Sequence, residues 1–116
     1  MIRLLLVELE PDDVETRTLA RALRDCGVEV VYATAVSVDE IVQAAIQEDV
    51  RAVGLVVRTR EHRRIGSELA ARTVVFATAD GDEETLRQAG VKAVFRYDNA
   101  EGVVNWADTQ LSGHVR

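Results

Sequence analysis

Cysteine is almost missing from this chain. Cys26 stands alone, which excludes an internal disulfide framework and a cysteine-built metal site. Lysine is as scarce: Lys92 is the single one among 14 basic residues, the rest being Arg, a bias expected of a GC-rich genome. Aromatics are limited to Tyr32, Phe76, Phe95, Tyr97 and Trp106, so a core has to be built from Val, Leu, Ile and Ala. Positive charge is outweighed, with a net charge of −6, and that argues against a nucleic-acid-binding surface, which needs a basic face. No apolar run approaches the roughly 20 residues of a membrane span, and the opening MIRLLLVELE turns acidic too early for a signal peptide, so a cytoplasmic protein is expected. No nucleophile–base pair, Gly-rich phosphate loop or metal-ligand spacing is present, which speaks against an enzyme.

Apolar runs and amphipathic segments alternate through residues 1–116, as expected of a single module. Residues 2–8 (IRLLLVE) form a short continuous apolar run, the mark of a strand covered on both faces. Pro11 suits a first helical turn. Leu19, Ala22, Leu23 and Cys26 then recur at helical spacing up to Gly27, which places Cys26 in the core as a small apolar residue. Residues 28–33 read as the second strand. Ser37 and Glu40 make a capping box, and Val38, Ile41, Val42, Ala45 and Ile46 form one apolar helical stripe behind it. Strands at 52–57, 73–77 and 92–96 alternate with helices near 62–71, 82–89 and 99–112. The last helix opens with Asp98 and Glu101 and buries Val103, Trp106, Ala107 and Leu111. Strict β–α alternation predicts an α/β, flavodoxin-like (Rossmann-like) doubly wound, five-stranded parallel sheet in the order 2-1-3-4-5. Its ligand crevice lies at the carboxyl ends of strands 1 and 3.

Two charged segments flank that crevice. Glu8, Glu10, Asp12, Asp13 and Glu15 fall where the first strand hands over to a helix. A helix N-terminus favours carboxylates, an ion-pair partner would explain the excess, and a divalent cation is a third reading. Arg58, Arg60, His62, Arg63 and Arg64 follow the third strand. Strands 1 and 3 are neighbours in the expected order, so this basic segment can fold over the mouth and close it with salt bridges. A solvated loop or an anion site are the alternatives. His62 is expected to be an exposed loop residue and His114 an exposed residue of the tail. Tyr97 and Asp98 are expected at the functional edge of the sheet.

Residues 20–32 (ARALRDCGVEVVY), 41–55 (IVQAAIQEDVRAVGL) and 89–95 (AGVKAVF) resemble the C-terminal cobalamin-binding domain of methylmalonyl-CoA mutase and related acyl-CoA mutases. The resemblance implies a signature Asp-x-His-x-x-Gly after the first strand, whose His ligates cobalt, whose Asp orients the His and whose Gly lets the nucleotide tail pass. The matching positions here are Glu10, Asp12 and Glu15. The family's Ser-x-Leu after the third strand corresponds to Val56, Val57 and Arg58, and its Gly-Gly after the fourth to Phe76, Ala77 and Thr78. His62 matches a His on the corrin side of the pocket. Each device for admitting the tail is replaced by something larger or charged, and carboxylate is a poor substitute for imidazole on cobalt.

A second resemblance is to two-component receiver domains. Glu8 and Glu10 match their acidic pair and Thr78 their fourth-strand Thr, but no carboxylate stands at the acceptor position within Val56–Arg58, and Arg96 replaces the Lys. Together these resemblances imply a module degenerate at the cobalamin site, with no cofactor. It is expected to work as a binding, regulatory or accessory protein, with a mutase-type large subunit or a second copy of itself as partner. Base-on cobalamin binding without a protein ligand and a pseudo-receiver role are the alternatives.

Overall fold

A computed structural model describes residues 2–34 and 37–111. Ten elements alternate along it: β1 (Arg3–Glu8), α1 (Val14–Asp25), β2 (Glu29–Thr34), α2 (Val38–Gln47), β3 (Ala52–Val57), α3 (Arg60–Ala70), β4 (Val75–Ala79), α4 (Glu83–Gln88), β5 (Ala93–Phe95) and α5 (Ala100–Gln110). The strands form one parallel sheet in the order β2-β1-β3-β4-β5, as the alternation predicts. Side chains alternate across the pleat. Leu4, Leu6, Val56 and Phe76 therefore point to one side, where Leu19 and Leu23 of α1 and Val103 of α5 cover them. Leu5, Val7, Val53, Leu55, Val57, Val75 and Ala77 point to the other, under α2, α3 and α4. His114 lies outside the described residues.

The two cores differ in how they fill space. The α1/α5 side carries the aromatic cluster, with the Phe76 ring 6.4 Å from Phe95 and 5.6 Å from Trp106 between centroids. Gly54 in the middle of β3 makes room for it: a Cβ there would lie 2.2 Å from the Phe76 ring and 2.7 Å from Leu6. The third strand thus carries a cavity-shaped gap that one large ring fills.

Several boundaries differ from the sequence reading, each for a local reason. Helix α1 starts at Val14 rather than in the turn of Pro11, because Asp12 takes a left-handed conformation (φ 57°) and Asp13 serves as N-cap. Cys26 is exposed, not core, because it is the C-cap residue that leaves the apolar stripe just before Gly27 (φ 89°). Ile46 is likewise exposed, at the edge of the α2 stripe, while Ile41, Val42 and Ala45 are buried. Strand β4 begins two residues late, since the Arg72 and Thr73 N–H groups both donate to the Leu69 carbonyl and prolong the exit of α3. Helix α5 is capped by Asn99, whose side chain accepts from the Gly102 N–H, and not by Asp98. The Ser37 cap of α2 holds, its hydroxyl accepting from the Glu40 N–H at 3.1 Å.

Gly54→Ala is expected to lower stability by about 2 kcal/mol or more, because the buried Phe76 ring cannot withdraw. A thermal or urea melt matching that of the native chain would contradict this packing.

Candidate functional site

The crevice at the carboxyl ends of β1 and β3 is shaped first by Glu8. This residue closes β1 on the α1 side and is buried. Its carboxylate accepts the Tyr32 hydroxyl, the Asp12 N–H at 3.0 Å and an ion pair from Arg17 Nε at 3.5 Å. Burial, and then the Glu8 carboxylate beside it, push the Tyr32 phenol up to about 12, so it stays a donor. With Asp12 also held by Arg17 at 2.7 Å, the turn before α1 is fixed in its left-handed bend. Glu8 is thus a structural anchor and does not face the crevice as one of a metal-binding pair.

The remaining acids meet one arginine. Arg58, the first residue after β3, donates from Nη2 to Asp13 Oδ1 and from Nη1 to Glu15 Oε1, both at 2.7 Å, and its Nη2 lies 3.7 Å from Glu10 Oε1. Burial opposes its charge, but the three carboxylates hold the guanidinium above its ordinary pKa. Burial also tends to raise the Asp13 carboxyl, yet the Thr16 hydroxyl and Arg58 together hold it below the usual range. Asp13 has only 9% of its side chain exposed and Arg58 32%, so this pair is better shielded from solvent than the rim pairs. The cluster is therefore an internal ion pair across the mouth. Among the described residues no group of three or more acids, His or Cys is arranged to hold a metal ion.

His62 is not an exposed loop residue. Thr59 caps α3 by accepting the His62 N–H at 3.1 Å, so the basic segment is the first turn of a helix, and the His62 ring turns inward. The ring is buried, with Nε2 2.9 Å from Glu10 Oε2 and Nδ1 accepting the Arg58 N–H at 3.1 Å. Burial lowers its pKa below the ordinary value against the opposing pull of Glu10, so the contact to Glu10 is a hydrogen bond from a neutral ring. The other cations disperse: Arg63 pairs with Asp82 at 3.1 Å, Arg64 with Glu61 and Glu68 of its own helix, and Arg60 is exposed. Arg58 and Arg63 both line the cleft beside the mouth, each already paired with carboxylate.

Beside the closed mouth a cleft of about 360 Å³ remains, lined by Val56, Arg58, Thr78, Asp80, Asp82 and Tyr97 among others. Thr78 is fully buried, and its hydroxyl has no partner among the described residues. Phe76, Ala77 and Thr78 lie inside β4, not after it; Ala77 faces the opposite core and does not reach the cleft. The segment that follows β4 is Asp80–Gly81–Asp82. Of the positions singled out from sequence, the structure brings Glu10, Glu15, Arg58 and His62 together. Val56, Thr78 and Tyr97 line the adjoining cleft, whereas Asp12 and Ala77 stand apart. Sequence reasoning missed Arg17 and Tyr32 as parts of the site. The register Leu6↔Tyr32 puts Tyr32 on the Glu8 face, but a register is not visible before the sheet is known.

Arg58→Ala is expected to shift the urea midpoint downward by the equivalent of about 1–2 kcal/mol at pH 7 and low salt, because it leaves Asp13 and Glu15 facing each other unpaired. The loss should shrink when Asp13→Asn is added; an unchanged midpoint would show that the ion pair does not hold the mouth.

Comparison with known proteins places this geometry. No family model matches the chain. It is 33% identical over 111 residues to the 2-hydroxyisobutanoyl-CoA mutase small subunit of Aquincola tertiaricarbonis, covering 84% of this chain and 82% of that one. Among solved structures it is similar to a cobalamin-binding protein from Desulfitobacterium hafniense, with a TM-score of 0.74 and 17% identity over 90% of this chain; it spans 58% of that longer chain. It is also similar to a CheY-like protein (tadZ) from Pseudomonas aeruginosa (TM-score 0.72, 16% identity, 100% of this chain and 97% of that one). The signal receiver domain of NarL from Mycobacterium tuberculosis is a third (TM-score 0.68, 16% identity, 94% and 98%). At these identities the solved structures speak for the flavodoxin-like fold alone. The sequence relative carries more: the likeness to acyl-CoA mutase cobalamin-binding domains holds, and the chain belongs to the family of the 2-hydroxyisobutanoyl-CoA mutase small subunit.

Proposed function

We propose that this chain is a non-catalytic accessory or regulatory subunit of an acyl-CoA mutase-type assembly, with its cobalamin seat closed by its own side chains. The observation that carries the reading is Arg58, whose guanidinium lies across the mouth between β1 and β3 and binds Asp13 and Glu15. The family relationship supports a mutase-type large subunit as the partner class.

The residues do not fit a His-ligated cobalamin. At the position corresponding to the cobalt-ligating His stands Asp12, whose side chain is 85% exposed and engaged by Arg17. Cobalt in this setting favours a nitrogen donor, and an oxygen-only carboxylate already paired with a guanidinium offers none. Glu10, in the place of the orienting Asp, is turned to His62, and Glu15, in the place of the Gly, is bound to Arg58. Val56 is packed in the core where the family has a small Ser. A base-on cobalamin that needs no protein ligand is the competing reading, and the cleft lined by Thr78 and Tyr97 is what favours it. The pseudo-receiver reading shares the fold but meets no carboxylate within Val56–Arg58, where the acceptor belongs.

Two measurements test the proposal. After incubation with hydroxocobalamin and gel filtration, the protein peak is expected to be colourless; a red co-eluting protein would mean that cobalamin binding persists. A mutase-type large subunit co-expressed with this chain is expected to co-purify with it. Failure to co-purify from co-expressing cells would remove the accessory role while leaving the closed seat intact.

A further inference from the structure

We propose that His62 makes the mouth of the crevice a proton-operated latch, shut while its ring is neutral and released when the ring takes up a proton. This goes beyond the accessory-subunit reading and needs no partner.

A neutral imidazole has one donor and one acceptor nitrogen, and here both are used. Nε2–H donates to Glu10 Oε2 at 2.9 Å, which belongs to the turn before α1. Nδ1 accepts the backbone N–H of Arg58 at 3.1 Å, just past β3. One small ring thus ties the two sides of the mouth together. The residue whose backbone it holds is the one whose guanidinium grips Asp13 and Glu15. Protonation turns Nδ1 into a donor facing another donor. The Arg58 N–H then loses its acceptor, and the two N–H groups repel. An imidazolium also competes with the Arg58 guanidinium for Glu10. The ring or the start of α3 has to move, and the backbone that aims the Arg58 fork moves with it. The acid side of the mouth and the adjoining cleft would then open to solvent.

The charged groups around the ring divide. Glu10 and Asp13 from the turn before α1 and Glu61 from α3 favour the imidazolium, whereas Arg58 opposes it. Burial opposes it most, and the balance holds the ring below its ordinary value of 6.5. The sign follows: the fold favours the neutral ring, so the stabilisation is fully present above 6.5 and the latch is released as pH falls through the lower folded value. Far from being a relic of a corrin contact, His62 gives this mouth a setting that depends on proton concentration.

The test is NMR on the full chain. At pH 7.5 the His62 ring should show the Nε2–H tautomer, and its titration midpoint should fall below 6.5. Protection of the Arg58 amide against hydrogen exchange, corrected for intrinsic rates, should drop roughly tenfold between pH 7.5 and one unit below the measured His62 midpoint, while β1 and β4 amides keep theirs. His62→Asn supplies an amide oxygen near the Nδ1 position without a titrating group, so its Arg58 amide should be protected alike at both pH values. Equal protection at both pH values in the native chain overturns the latch, as does a pH-dependent loss that persists in His62→Asn. Should that variant fail to fold, the titration and exchange of the native chain decide on their own.

Discussion

A guanidinium held by three carboxylates at the junction of the first and third strands organises the functional end of this molecule. Arg58 follows β3 directly and meets Glu10 and Asp13 from the turn after β1 and Glu15 from the first turn of α1. In a parallel sheet of this order the ends of β1 and β3 are where the connections part to opposite faces, leaving a gap that a ligand ordinarily enters. Here the gap is bridged from within. The carboxylates raise the cost of deprotonating the guanidinium and the guanidinium lowers that of ionising Asp13, so each side fixes the charge of the other.

Support for this pairing comes from groups that never touch Arg58's fork. Glu8, buried under α1, accepts from Tyr32 and from the Asp12 N–H and so sets the left-handed bend that delivers Asp13 and Glu15. Thr59 caps α3 and turns His62 inward, where its ring accepts the Arg58 backbone N–H. The closure is therefore a network in which a buried carboxylate, a phenol, a helix cap and a neutral imidazole each position something else. Such networks hold only while every member is satisfied, because an unpaired group in a shielded place costs more than a paired one returns.

The family relationship and the geometry pull in different directions, and this tension is informative. The scaffold stretches that resemble acyl-CoA mutase domains run through the end of α1, β2, α2, β3 and β5, and they are intact in the fold. The loop positions that carry the family's chemistry are filled by Asp12, Glu15 and Arg58, which satisfy one another or Arg17. Packing constrains a core over its whole length, whereas loop positions can exchange one set of partners for another.

By itself the sequence determined the order of elements, the sheet topology, the two apolar faces and the replacement of the motif at Glu10, Asp12 and Glu15. These are legible because burial imposes periods of 2 and 3.6 residues on neighbouring positions. It also pointed to an acid segment facing a basic one, since the strand order makes them neighbours. Only the tertiary structure decided that Arg58 alone among the basic residues enters the mouth, that Arg60 does not, and that His62 is buried. Arg58 lies 43 and 45 residues from its partners Glu15 and Asp13, and which side chain meets which depends on the exact end of β3 and the start of α3. A boundary error of two residues, as at β4, keeps each side chain on its face but moves Ala77 from the strand's end at the crevice to its interior over the core. Local patterns fix what an element is; the distances that make a site are fixed by how the elements end.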